Sequence, residues 1–416
     1  MKTAMKKRVV ITGVGLVSCL GTSSALFHRQ LCGGTDGAGR IVEGDPQGMR
    51  IPRAGRISCF EPELYLKGRS LRPLDRTGQL LASAAQMALD NSGWAAEALR
   101  RTDVGLVLGT MFGSMHTISE FDRRCLIEGP ACVSPMNFAN TVINSAAGQT
   151  AIWHNLRGMN STTATGATSG LVAIGYAADL IQCGRQTAIL AGGADEFCFE
   201  ASYGLERAGL SSNAGHEAEC FTPFDARRSG MRLAEAGALV VLEDWDSALA
   251  RGATVLGEIR GHANCYNPKW NQPGHSARGI IRAMRGALED ARLSPPEIDY
   301  ISAGANGSLA GDRNEGLAIK AVFNGQSDQV PITAIKSGIG ETLGAAGALQ
   351  AIDLLETMCS GTLPGIAGLE QVDAELADLN LCCKPTCVDV DSGMISSVGF
   401  DGHACSLIIS KPPAQV

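Results

Sequence analysis

Apolar positions in this chain come in blocks, and the blocks change period. Residues 7–18 hold an unbroken apolar run, Arg8-Val9-Val10-Ile11-Thr12 and then Gly13-Val14-Gly15. Such a run without alternation predicts a strand buried on both faces, here with a glycine-rich exit. Further short apolar runs predict strands at Val104–Gly109, 187–193 and 238–243. Between them, residues 71–92 place Leu74, Leu80, Leu81, Ala84, Ala85 and Ala88 on one face of a helix. Residues 147–156 and 169–181 also read as helices, the second largely buried. The second half repeats the rhythm: strands at 254–262, 300–303, 393–399 and 404–410, and helices at 277–291, 311–323 and 343–358. Strands alternating with helices predict an α/β class. Two similar series meeting near residue 255 predict an internal duplication, with halves 1–255 and 256–416. No Pro/Ser-rich linker separates them, which predicts one fused body.

Composition narrows the chemistry. The chain has 416 residues, 45% of them hydrophobic and only 5% aromatic, with 51 glycines set inside apolar segments. That predicts an aliphatic core whose elements approach backbone-close. The net charge of −7 gives no electrostatic case for nucleic acid. No apolar run reaches the roughly 18–20 residues that span a bilayer, and the early strand leaves no room for a signal peptide. The 14 cysteines are scattered apart from Cys382, Cys383 and Cys387, as in a reduced, cytoplasmic protein, and no second paired motif completes a metal site. Gly13-x-Gly15-x-x-Ser18 lacks the third glycine of a dinucleotide loop. We therefore expect no cofactor.

The segment Ser161-Thr162-Thr163-Ala164-Thr165-Gly166-Ala167-Thr168-Ser169-Gly170 is a small-residue turn entering an apolar helix. A thiol held there would have its pKa lowered by backbone N–H groups and the helix dipole. Ala167 occupies the presenting position. Six segments in order resemble β-ketoacyl-carrier-protein synthases, the decarboxylative condensing enzymes of the thiolase-like fold. They are Val9 through Gly15; Ala164 through Gly170; Ala191-Gly192-Gly193-Ala194; Pro223-Phe224-Asp225 with Glu235-Ala236-Gly237-Ala238; Lys336-Ser337 with Leu343 through Ala348; and Val398-Gly399-Phe400. The resemblance covers nearly the whole chain. It implies a five-layer αβαβα architecture built from two βαβαβαββ-type halves.

The resemblance also implies a mechanism in which a cysteine takes an acyl chain from a carrier protein, and two histidines assist decarboxylation of malonyl-carrier protein and stabilise the enolate. Here the cysteine position is Ala167. The first histidine position, eight residues before Asp312, is Gly304. The second, after Lys336-Ser337-Gly338-Ile339-Gly340, is Glu341, while Lys336 itself is retained. Glu341 either accepts a proton or pairs with Lys336, and its negative charge would oppose an enolate. Ser161, Thr165, Thr168 and Ser169 need an adjacent base to act as nucleophiles, and none of the seven histidines stands at a matching position. His403 follows Gly399-Phe400-Asp401-Gly402 and is read either as a substitute base or as a strand-end residue.

A silent member of this family resembles the chain-length factor of type II polyketide systems, which pairs with an active ketosynthase and shapes its acyl tunnel. Alanine at the nucleophile position departs from the glutamine usual in aromatic-polyketide factors and leaves room for a polyene-type relative, such as one from aryl polyene assembly. In the family, the segment before the nucleophile crosses the dimer interface. Phe112, Met115, Met136 and Phe138 are therefore either tunnel-shaping or ordinary interface residues, and Phe400 matches the family's gating phenylalanine. Asp401 stands where glycine is usual. Lys67, Arg69, Arg72 and Arg76 form a candidate docking patch for an acidic carrier protein, or else a solvated face; the second basic pair is replaced by Ala131-Cys132. The expected partners are an active ketosynthase paralogue in a heterodimer and an acyl carrier protein. The competing readings are an active 3-oxoacyl-carrier-protein synthase or malonyl decarboxylase with an atypical site, and a stand-alone acyl-binding scaffold.

Overall fold

The computed structural model describes residues 6–40, 53–94, 104–212, 220–269 and 277–412. The main sheet takes five strands from the first half of the chain: β1 (Val9–Val17), β2 (Val104–Gly109), β3 (Asn160–Thr163), β4 (Ala188–Asp195) and β5 (Ala236–Asp244). Five come from the second: β6 (Gly257–Tyr266), β7 (Tyr300–Ser302), β8 (Ile332–Thr333), β9 (Ser392–Val398) and β10 (His403–Ser410). They form one hydrogen-bonded series, β8-β7-β9-β10-β6-β1-β5-β4-β2-β3. The halves have the same internal order. In each, the first strand pairs antiparallel with the fifth and the fifth antiparallel with the fourth; the fourth then runs parallel to the second, and the second parallel to the third. The duplication suggested by rhythm is thus present in the topology. Within the sheet, the described residues of the two halves pair where Val9, Val10 and Ile11 of β1 meet Ile259, Glu258 and Gly257 of β6.

Every residue of β1, β2, β4 and β5 is buried, because helices cover both faces. The helices α5 (Ser169–Gln182) and α8 (Ala346–Ser360) pack on each other and on strands of both halves, and their side chains share one core with Val14, Val240, Ile259, Ile395 and Leu407. Outside the first half lie α2 (Arg76–Asn91) and α4 (Ser145–His154); outside the second lie α6 (Arg278–Ala291) and α7 (Leu309–Val322). This sequence of layers matches the architecture that the resemblance implied. Backbone-close packing explains much of the glycine content: a β-carbon on Gly193 of β4 would overlap the carbonyl of Gly344.

Among the expected boundaries that shift, two are informative. The helix of 71–92 begins at Arg76, where Asp75 caps it by accepting from the Gly78 N–H at 2.9 Å. The helix expected from 343 begins at Ala346, because Leu343 adopts φ 51° in a single 3-10 turn. Phe224 is the matching strained residue at φ 64°. Positive φ is costly for bulky side chains and persists only when the surroundings enforce it. Buried carboxylates do so here: Asp312 accepts from the Phe224 N–H at 3.0 Å, and Glu341 from the Leu343 N–H at 2.9 Å. Both strained residues lie in segments that carried the family resemblance.

Candidate active site

Strands β2 and β4 end side by side, and Asp195 at the end of β4 ties the surrounding loops together. Its carboxylate accepts from Thr110 Oγ1 (2.7 Å) and from the N–H groups of Met111 (2.8 Å), Phe112 (3.0 Å) and Gly344 (2.7 Å). Burial pushes its pKa up to about 6 despite these four donors. The sequence signal for Asp195 was a carboxylate closing the apolar run of β4, and sequence reasoning passed over it.

The turn feeding α5 sits beside this hub. Gly166 takes φ 64°, and Ala167 is buried at 1% exposure. The turn's hydroxyls are engaged in holding its shape. Ser169 Oγ donates to the Gly166 carbonyl (2.6 Å) and accepts from the Thr165 N–H (2.8 Å), while Thr168 Oγ1 donates to the Thr165 carbonyl (2.7 Å). Among the described residues, these hydroxyls donate to backbone carbonyls of the turn and not to a histidine or carboxylate. His216 and His275 lie outside the described residues.

Gly304, Lys336 and Glu341 come together as the sequence predicted. Lys336 Nζ donates to Glu341 Oε2 (2.8 Å) and to the Gly304 carbonyl (2.9 Å). Glu341 Oε2 also accepts from Asn306 Nδ2 (2.8 Å). Both charged residues are almost wholly enclosed, Lys336 at 2% and Glu341 at 1% exposure. The carboxylate is therefore held by a cation, an amide and a backbone N–H, with no face left for substrate. On the other side, the Gly304 N–H donates to Glu315 Oε1 (2.9 Å), and burial pushes Glu315 up to about 7. Asn306 and Glu315 were not anticipated: Asn306 sits on the loop before α7, and Glu315 on the buried face of α7 itself.

Gly304 lacks more than a side chain. A β-carbon there would lie 2.8 Å from the Ser396 carbonyl oxygen and 3.0 Å from the Val398 nitrogen. The backbone of β9 thus occupies the space in which a larger residue would start. Ser397 of β9 in turn donates to the Ala167 carbonyl at 3.4 Å. One strand therefore links the two positions.

A cavity of about 240 Å³ opens alongside, lined by Gly304, Asn306, Asn267, Leu210, Phe400 and His403, but not by Ala167. At its edge His403 Nδ1 pairs with Asp401 Oδ2 at 3.0 Å, and the imidazole lies 4.9 Å from the Tyr266 ring. Both members are partly exposed. Asp401 also crowds Gly166, whose hypothetical β-carbon would be 2.7 Å from Asp401 Oδ2.

Residues 6–248 match the family described as "Beta-ketoacyl synthase, N-terminal domain" and residues 256–370 the one described as "Beta-ketoacyl synthase, C-terminal domain". The chain belongs to the β-ketoacyl synthase family. It is 30% identical over 415 residues to "3-oxoacyl-[acyl-carrier-protein] synthase 2" of Synechocystis, covering 99% of this chain and all of the relative. Two solved structures are similar over 98% of this chain and all of theirs. One is "the ishigamide ketosynthase/chain length factor" (TM-score 0.90, 29% identity), and the other a β-ketoacyl synthase from Burkholderia phymatum (TM-score 0.91, 30% identity).

Within this ketosynthase fold, the expected tunnel residues separate. Phe112, Met115 and Phe400 pack into one apolar cluster with Leu205, Met231, Leu233 and the strained Leu343. Met136 and Phe138 instead stand at the surface, 54% and 61% exposed, with Phe138 against Phe121 of α3 (Met115–Glu128). The basic patch separates too. Lys67, Arg69 and Arg72 are exposed, but Arg69 donates to the carbonyls of Ile152 and Trp153 at 3.2 Å. Arg76 leaves the patch, because its guanidinium is taken by the buried Glu235 at 2.6 and 3.1 Å. Among the described residues, no group of three or more metal-ligating side chains forms a candidate metal site, and no helix is long and apolar enough to cross a membrane.

Proposed function

We propose that this chain is the non-catalytic, chain-length-factor-like member of a ketosynthase pair, and that it shapes the partner's acyl tunnel during polyketide or polyene chain elongation. The carrying observation is the site itself. Alanine and glycine stand at two of the three reactive positions, and the third, Glu341, is closed into a buried pair with Lys336. Roles that act as a unit leave little residual catalysis when all are missing. The similarity to the ishigamide ketosynthase/chain length factor supports the same reading.

The surface supports a partner. Strand β3 ends the sheet, so among the described residues one of its edges has no strand beside it. Unpaired edges are normally covered or blunted. The segment leading into α4, which packs on β3, exposes Met136, Phe138, Val142 and Ile143. An apolar surface of this kind suits a protein interface. In this reading Lys67, Arg69 and Arg72 contribute to contact with an acyl carrier protein, and Met136 and Phe138 meet the partner.

The test is co-expression with a ketosynthase paralogue that has cysteine at the position of Ala167. We expect a one-to-one complex, and a changed product length when Phe138 or Met136 is replaced by alanine. A chain that elutes as a homodimer in the presence of such paralogues defeats the proposal. The second reading, a synthase or malonyl decarboxylase with an atypical site, draws on the relative's name and on the Asp401–His403 pair at the cavity edge. Incubation with malonyl-carrier protein separates the two, since carbon dioxide released by this chain alone would favour the enzyme.

A further inference from the structure

Away from this site, α1 (Ser24–Cys32) lies along α8, and the two helices bring together a thiol, an imidazole and a carboxylate. His28 Nδ1 is 2.8 Å from Asp353 Oδ1. On the other side of the ring, Nε2 is 3.5 Å from Cys32 Sγ and 3.1 Å from Ser360 Oγ. The order is carboxylate, imidazole, nucleophile, with the imidazole between the other two. His28 and Cys32 are four residues apart on one helix and so share a face. Asp353 and Ser360 are seven apart on α8 and do the same.

We propose that Cys32 is a reactive thiol poised by His28 and Asp353, and that it exchanges with low-molecular-weight disulfides. Asp353 is fully buried, and its second oxygen has no hydrogen-bond partner. It therefore acts on one neighbour, the imidazole, and fixes Nδ1 as the protonated nitrogen that faces it. Burial alone would push His28 down. The hydrogen bond to Asp353, reinforced by Cys32, outweighs burial and holds the imidazole up, at about 10. A cationic imidazole beside a sulfur is the setting in which thiolates persist. Among the described residues, Glu356 and Tyr300 also interact electrostatically with Asp353.

Access separates this thiol from the enclosed cysteines, and the imidazole beside it separates it from the exposed ones. Cys32 is half-buried at the end of α1, and the following Gly34 has open space around it. Cys198 and Cys405 are enclosed, and burial pushes both thiols up. In the exchange, the Cys32 thiolate attacks one sulfur of the disulfide. The old S–S bond breaks as the new one forms, and the departing thiolate takes the proton from His28 Nε2. No net oxidation occurs.

The test uses the full chain and an aromatic disulfide that releases a coloured thiolate, with the modified cysteines located by peptide mass spectrometry. At pH 6.5 we expect Cys32 to react about tenfold faster than the exposed Cys59 and Cys132, which serve as internal references. The ratio of rates should grow as pH falls from 8.5 to 6.0, because the cationic imidazole stays beside the Cys32 sulfur. His28→Gln should abolish the advantage, while Ser360→Ala should leave it. The proposal is overturned if Cys32 reacts no faster than Cys59, if the ratio does not change with pH, or if the advantage survives in a folded His28→Gln protein. The two pH-dependent measurements need no variant, so a misfolded substitution does not leave the question open.

Discussion

The Lys336–Glu341 and His28–Asp353 pairs are both buried, and they differ in what surrounds them. Lys336–Glu341 is enclosed on every side: the carboxylate holds Asn306 and the Leu343 N–H as well as the lysine, and the lysine also holds the Gly304 carbonyl. His28–Asp353 is enclosed on the carboxylate side alone, and the imidazole's other nitrogen faces Cys32 and the exposed Ser360. Both keep a charge inside the protein, where only a well-paired geometry makes it tolerable. The first spends all its hydrogen-bonding capacity on structure. The second keeps one atom for chemistry. On the proposed reading, then, the family site is the inert one, and the geometry proposed as reactive sits on a helix pair elsewhere.

The contrast is sharpest when each pair is broken. Glu341→Ala leaves a lysine ammonium buried without a counter-charge and releases the strained Leu343. We expect a loss of about 4–5 kcal/mol, the upper range for an orphaned buried charge. Denaturant unfolding measures it. The double change Lys336→Met with Glu341→Leu should recover most of the loss, because it removes both charges together. If the single variant is as stable as the parent, the pair does not hold this site closed.

His28→Gln should cost less, about 3 kcal/mol, because water reaches the Ser360 side. Its pH behaviour is distinctive. The folded imidazole titrates at about 10 against an unfolded value near 6.5. A raised histidine contributes stability that is fully present below about 6.5 and is lost as pH rises through 10. The parent should therefore lose stability relative to His28→Gln between pH 7 and 10, and the two melting curves should converge. Curves that stay parallel across that range would remove the ion pair from the account.

Much of this was legible in the sequence, for identifiable reasons. The strands of continuous apolar character, such as β1 and β4, announced themselves because helices bury both faces. The Lys336–Glu341 pair was legible because its members are five residues apart in one turn. Helix α3 was not, since none of its residues is buried. Strand β3 reads Asn-Ser-Thr-Thr and gives no period to detect. Helix α1 offers only Phe27 and Leu31 as buried apolar residues, so His28 and Cys32 had no helix to be placed on. The contacts of Asp195 reach Gly344 across 149 residues, beyond any local pattern.

The smallest expected effect is the most pointed. Ala167→Cys puts a thiol back at the head of α5, where the helix N-terminus favours a thiolate. That position can hold the group, but the other two cannot serve it. Gly304 is crowded by the Ser396 carbonyl, so a side chain there requires β9 to move. Glu341 is bound to Lys336 and carries the wrong charge for an enolate. We expect Ala167→Cys to fold normally, to react with alkylating agents, and to form no 3-oxoacyl product above background from acyl- and malonyl-carrier proteins. Mass spectrometry reads both outcomes from one sample. If condensation returns with the thiol alone, the loss at 304 and 341 is not what silences this chain, and the atypical-site reading, with Asp401 and His403 handling the proton, takes its place.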